Sequence, residues 1–173
     1  MKSIPLGTFA IVALICSTLQ SPGQNLNGAY SCSGNVSSGL KLDKASNKWR
    51  AVSLNADEKL VIRLNFVKRV QGQHGDPDFS YYEVDISEPG TDTPGRCFNM
   101  QVFLPTEVPR TNIKVYDDLK FVCTDATQLN IYRFNLKNGK YLSFYMAGGG
   151  LDSSDTDTPN VTMGTCIKID NKP

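Results

Sequence analysis

The chain has 173 residues, with 18 Lys plus Arg against 17 Asp plus Glu, one His, and 40% hydrophobic and 20% charged residues. A net charge of +1 excludes a basic nucleic-acid coat and an acidic tail, and the apolar content suits one globular domain rather than a disordered chain. A single histidine leaves little room for His-based catalysis or a multi-histidine zinc site.

Lys2 is the only charge before Lys41, and residues 9–16 are eight apolar residues in a row. A lone positive charge, a short apolar core and then small and polar residues describe a secretory signal peptide. The run is shorter than the roughly 20 residues that a membrane span requires. Cleavage is expected near Ser21-Pro22-Gly23, removing residues 1–23 and leaving 24–173 as one disulfide-stapled all-β domain. The remaining 150 residues carry 17 Lys plus Arg against 17 acids, and they lose Cys16. Four cysteines stay: Cys32, Cys97, Cys123 and Cys166. An even number in an exported chain, with no C-x-x-C pair, reads as two disulfides.

The rest of the chain alternates with period two. Strands are expected at 29–33, 39–43 and 48–54, with Ala45-Ser46-Asn47 turning the second into the third. Leu60, Ile62, Leu64 and Phe66 oppose Arg63 and Asn65. Tyr82, Val84 and Ile86 oppose Tyr81, Glu83 and Asp85. Phe98, Met100, Val102 and Leu104 oppose Asn99 and Gln101. Further strands are expected at 119–123, 129–136 and 141–146, the last two joined at Asn138-Gly139 by a type I′ hairpin turn. Val161, Met163, Ile167 and Ile169 oppose Thr162 and Lys168. Each alternation assigns the apolar set to a core and the polar set to water. About ten strands and no sustained helical stripe give an all-β fold, either an antiparallel β-sandwich or a closed β-barrel. Breaker-rich loops are expected at 71–78, 88–96 and 147–159.

The chain reads as a diverged internal repeat. Tyr30-Ser31-Cys32 is echoed by Phe121-Val122-Cys123, and Asn47-Lys48-Trp49 by Asn138-Gly139-Lys140-Tyr141. Thr91-Asp92-Thr93-Pro94 precedes Cys97 as Thr156-Asp157-Thr158-Pro159 precedes Cys166. If each half closes on itself, the bonds are Cys32–Cys97 and Cys123–Cys166, the pairing the repeat favours. The rival is Cys97–Cys123 across a hairpin, with Cys32–Cys166 tying the first strand to the last.

Candidate chemistry is thin. His74 with Asp76 or Asp78 could form an acid–base pair, but no G-x-S-x-G elbow accompanies it, and a Gly- and Pro-flanked histidine is ordinarily a solvated turn residue. Asp152, Asp155 and Asp157 after Gly148-Gly149-Gly150 could offer oxygens to calcium, without the EF-hand order. Seventeen acids offer many carboxylate pairs and single out none. Lys68-Arg69 with Arg63 is too little for nucleic acid. Tyr81, Tyr132 or Tyr145 on an outer face could stack a sugar or a partner. Asn35-Val36-Ser37 and Asn160-Val161-Thr162 match the glycosylation acceptor.

The arrangement Tyr30-x-Cys32, Gly39-Leu40-x-Leu42-Asp43, Trp49, Cys123 and Asp157-Thr158-Pro159-x-Val161-x-Met163-Gly164-Thr165-Cys166 resembles small exported, uncharacterised proteins of proteobacteria. The likeness spans most of the mature chain, with Leu42 where a tyrosine is usual. It implies a periplasmic or secreted location and brings no activity, cofactor or functional residue with it.

The expected function is therefore an exported, non-enzymatic binding or interaction module. Its loops or an exposed strand face would meet an unknown protein or carbohydrate. No catalytic, cofactor or metal residue is assigned, and neither nucleic acid nor a membrane span after signal cleavage is expected. The alternatives are a secreted hydrolase using carboxylates or His74 with Asp76, and a calcium-dependent carbohydrate-binding domain.

Overall fold

The computed structural model describes residues 26–43, 45–73, 75–91, 94–100, 108–127, 129–146 and 158–169. The signal segment 1–23, His74, the outer part of the strand expected from Phe98 to Leu104, and Asp152, Asp155 and Asp157 lie outside them.

Ten strands form one antiparallel sheet: β1 (Gly28–Asp43), β2 (Lys48–Leu54), β3 (Lys59–Val70), β4 (Phe79–Ser87), β5 (Gly95–Arg96), β6 (Asn112–Tyr116), β7 (Lys120–Thr124), β8 (Asn130–Asn135), β9 (Lys140–Tyr145) and β10 (Asn160–Ile169). Their order is β5-β4-β3-β1-β10-β9-β8-β7, with β2 beside β1 and β6 beside β4. The sheet is not closed into a barrel and is compatible with a β-sandwich. Its inner side gathers one core that includes Tyr30, Ile62, Leu64, Val84, Ile113, Phe121 and Phe134.

The segments expected at 29–33 and 39–43 are one sixteen-residue strand, β1. A bulge makes this possible. Gly34 pairs Gly164 and Val36 pairs Met163, which leaves Asn35 as the extra residue. Before the bulge Tyr30 and Cys32 face inward; after it Ser37 does. The bulge thus changes the phase of β1 while β10 runs on unbroken. β1 pairs β10 along one edge, and β3 followed by β2 along the other.

Both predicted hairpins form, each through a four-residue loop. Asp43 pairs Lys48 and Asn135 pairs Lys140. Asn47 (φ 51°) and Gly139 (φ 57°) hold the same last loop position in the left-handed region. The expected two-residue I′ turn at Asn138-Gly139 is corrected, because only Gly139 adopts positive φ there.

The repeat does not govern the disulfides. Cys32 bonds Cys166 and Cys97 bonds Cys123, so the pairing of each half with itself is overturned. Cys32 and Cys166 are register partners on the central strands, with Cα atoms 4.0 Å apart. The second bond has a different task. β5 and β7 lie at the two ends of the sheet order and share no ladder among the described residues. A single bridge, Phe98 to Thr124, and the adjacent Cys97–Cys123 bond clasp those ends. Two disulfides point to an oxidising, non-cytoplasmic environment. No described helix is long and apolar enough to cross a membrane.

One end of the core is polar. Glu58, on the β2–β3 loop, accepts from Tyr141 Oη (2.9 Å) and Ser143 Oγ (2.8 Å), and the Thr162 and Ser37 hydroxyls bond at 2.9 Å. The Tyr141 ring crosses Gly164 to reach Glu58; a Cβ on Gly164 would meet that ring at 2.2 Å. Burial pushes the Tyr132 phenol up to about 12, and the Glu58 charge adds to the shift. Tyr141 is raised further, again first by burial and then by Glu58. Both phenols therefore stay neutral in the folded chain while the unfolded chain ionises near 10. Above that pH the unfolded state binds fewer protons, so stability is full below pH 10 and is lost as pH rises through the folded values. The unfolding free energy from urea titration should hold from pH 7 to 9 and then fall, losing on the order of 1–2 kcal/mol by pH 12, with a shallower fall in Tyr132→Phe. A flat profile to pH 12 would contradict this.

Candidate functional site

In β10 the sequence expectation is inverted. Val161, Met163, Ile167 and Ile169 alternate as expected, but they face solvent; Met163 is 54% and Ile167 70% exposed. Thr162, Gly164 and Cys166 face the core. The cause is Cys166. Its bond to Cys32 turns the even-numbered residues inward and the apolar odd-numbered ones outward.

Neighbouring strands continue this outward apolar face. Val36 pairs Met163 from the post-bulge half of β1, and Phe144 of β9 pairs Val161. Leu40 pairs Ala51 of β2, and Leu42 pairs Trp49. Val36, Leu40 and Met146 are exposed by 53%, 50% and 62%, and Trp49 by 43%. On this face lies an open groove of about 440 Å³ lined by Leu40, Ala51, Phe144, Met146, Pro159 and Val161. Monomers seldom leave contiguous apolar surface of this kind uncovered unless it binds something. The groove falls within the usual size range of ligand sites.

The arm beside the groove is basic. Residues 39–54 carry Lys41, Lys44, Lys48 and Arg50 against Asp43 alone. Asp43 is already engaged: its carboxylate contacts Arg50 and accepts the N–H groups of Ala45 and Ser46. These bonds, first those to Ser46, hold its carboxyl below the usual range.

A second, smaller cleft of about 250 Å³ opens beside β6 and β7. Lys114, Tyr116, Lys120 and Arg133 surround it. Lys114 is held over the rings of Phe79 (3.9 Å) and Tyr116 (4.7 Å), and Lys120 pairs with Asp118 at 2.6 Å.

Among the described residues, those singled out from sequence do not assemble into a catalytic site. Asp78 accepts the Gly72 N–H at 3.0 Å and pairs with Arg69 at 3.2 Å, and those bonds lower its pKa. Arg69 also reaches Asp117, so Asp78 clamps the 71–78 loop. Asp76 donates its N–H to Gln73 O, within the same turn. No group of three or more metal-type side chains forms among the described residues. Tyr132 lies in the core and Tyr81 is 8% exposed, so neither offers the open platform considered for a sugar. Tyr145 is half-buried and borders the groove.

The groove residues Leu40, Phe144, Met146 and Val161 went unmarked because their alternation fits a core strand equally well. A signal was present. Cys166 shares parity with Thr162 and Gly164, not with Val161 and Met163, and a half-cystine belongs inside. Compared with known protein families, curated proteins and solved structures, the chain matches none.

Proposed function

We propose that this chain is a secreted or periplasmic, non-enzymatic binding module that takes its ligand on the outer apolar groove. The observation that carries the reading is the inversion of β10, which spends Val161 and Met163 on solvent while Thr162 and Gly164 occupy the core side. Burying such a face against a ligand recovers about 25 cal/mol per Å² of apolar surface. A groove bounded by Leu40, Ala51, Phe144, Met146 and Val161 suits apolar side chains of a protein partner. A sugar would need more hydrogen-bonding groups than this lining offers.

Trp49 is the only tryptophan and stands beside the groove. An anilinonaphthalene sulfonate dye should bind the folded, oxidised protein and take up energy from Trp49. Leu40→Glu and Val161→Glu should each weaken the dye about tenfold, a loss of about 1.4 kcal/mol, while leaving the melting temperature nearly unchanged because both positions are exposed. Dye binding unaltered by both substitutions would remove the groove as the site.

A further inference from the structure

We infer that the open edge of β2 is a docking strand for an extended, acidic segment of another protein, which adds to the sheet and lays alternate apolar side chains along the groove. The inference rests on the groove reading above and names the partner's chemistry.

The first ground is the backbone. β2 pairs β1 through Lys48–Leu54 and pairs no other strand among the described residues. Leu40 donates its N–H to Pro159 O, away from β2. In an antiparallel ladder, the pair Leu40–Ala51 is then a non-hydrogen-bonded one, and by alternation so is Leu42–Trp49. The N–H and C=O groups of Trp49, Ala51 and Ser53 consequently point to the open edge. An unguarded row of this kind is a template for an added strand.

The second ground is side-chain direction. In β2 the partners of Leu40 and Leu42 are Ala51 and Trp49, so the residues whose backbone groups point to that edge also border the outer apolar face. A strand added here continues that face, and its alternate side chains come to lie beside Trp49 and the groove.

The third ground is charge. The segment 39–54 has a net charge of +3, and the rest of the chain sums to −2. With Asp43 engaged, Lys41 and Lys48 remain to meet carboxylates of an incoming strand. A second copy of this arm would set +3 against +3, which weighs against self-pairing. A lipid surface would use the apolar and basic groups but not the backbone row.

The test uses the mature, oxidised protein and three end-blocked eight-residue peptides. One alternates valine with glutamate, one carries the same residues in two blocks, and one alternates valine with lysine. Trp49 emission reports binding. The alternating acidic peptide should bind in the micromolar range, the block-order peptide at least tenfold more weakly, and the lysine peptide without measurable affinity. Ser53→Pro should abolish peptide binding yet retain the fold and dye binding, because the Ser53 N–H lies outside the β1 ladder and Ser53 is not among the groove's lining residues. Lys41→Glu with Lys48→Glu should weaken the peptide at least tenfold.

Equal binding of the block-order peptide, or a Ser53→Pro protein that still binds, overturns the inference. Dye binding without peptide binding overturns it alone and leaves the groove reading standing; loss of both removes both. Anionic vesicles that bind the wild type and Ser53→Pro alike would assign the surface to lipid instead. Dimerisation abolished by Ser53→Pro would assign it to a second copy.

Discussion

Replacing Cys32 and Cys166 together by alanine should lower the unfolding free energy by about 5 kcal/mol, with Cys97 and Cys123 costing about 3.5 kcal/mol when replaced as a pair. The difference follows from loop length. The first bond closes a separation of 134 residues and the second a separation of 26, and the entropy removed from the unfolded chain grows with the logarithm of the loop. A domain's whole stability is about 5–15 kcal/mol, so losing the Cys32–Cys166 bond would consume much of it. The melting temperature should fall by roughly 10–20 °C. Urea titration of both double variants checks the order, and non-reducing peptide mapping checks the connectivity. The Cys97–Cys123 variant serves where the other fails to fold. It should also show faster amide exchange in β7, because the clasp between the sheet's ends is gone. Equal costs for the two bonds, or a larger cost for the shorter loop, would contradict the account.

Phe134→Ala should cost about 3–5 kcal/mol. Phe134 is fully buried on β8. It is the register partner of Phe121 on β7 and of Tyr141 on β9, with ring centroids 4.8 Å and 6.0 Å away. The row continues through Gly164 on β10 to Gly34 on β1, so three aromatic rings and two glycines cross five strands. Alanine at 134 would open a cavity between two rings and loosen Tyr141, whose hydroxyl holds Glu58. Phe134→Leu should cost less, about 1.5 kcal/mol, since it leaves a smaller hole. Equilibrium unfolding with an unchanged m value measures both. A cost below 1 kcal/mol for the alanine variant would mean that the row closes over the gap.

Much of the fold was legible because strands announce themselves locally. Leu60, Ile62 and Leu64 are buried as their spacing implies, and so are Tyr82 and Val84. The misses have physical causes. β1 reads as two strands because the bulge at Asn35 breaks its period. β6 offers only Ile113 and Val115 as inward residues, too short a run to stand out. Phe66 shares the parity of Leu64 yet is 47% exposed, where β3 shifts register against β4 between Phe66 and Lys68.

The candidate site was nearly invisible for a related reason. Alternation is symmetric: it separates two faces without saying which one meets water. The sequence by itself determined the period-two pattern, the all-β class, the two hairpins and a set of four cysteines able to form two bonds. Tertiary structure alone decided which cysteines pair and which face of β10 is inside. Those choices depend on contacts between residues as far apart as Cys32 and Cys166, and on one extra residue in β1 that shifts its phase. Neither long-range pairing nor phase is written in local composition, and together they placed Val161, Met163 and Leu40 on the surface.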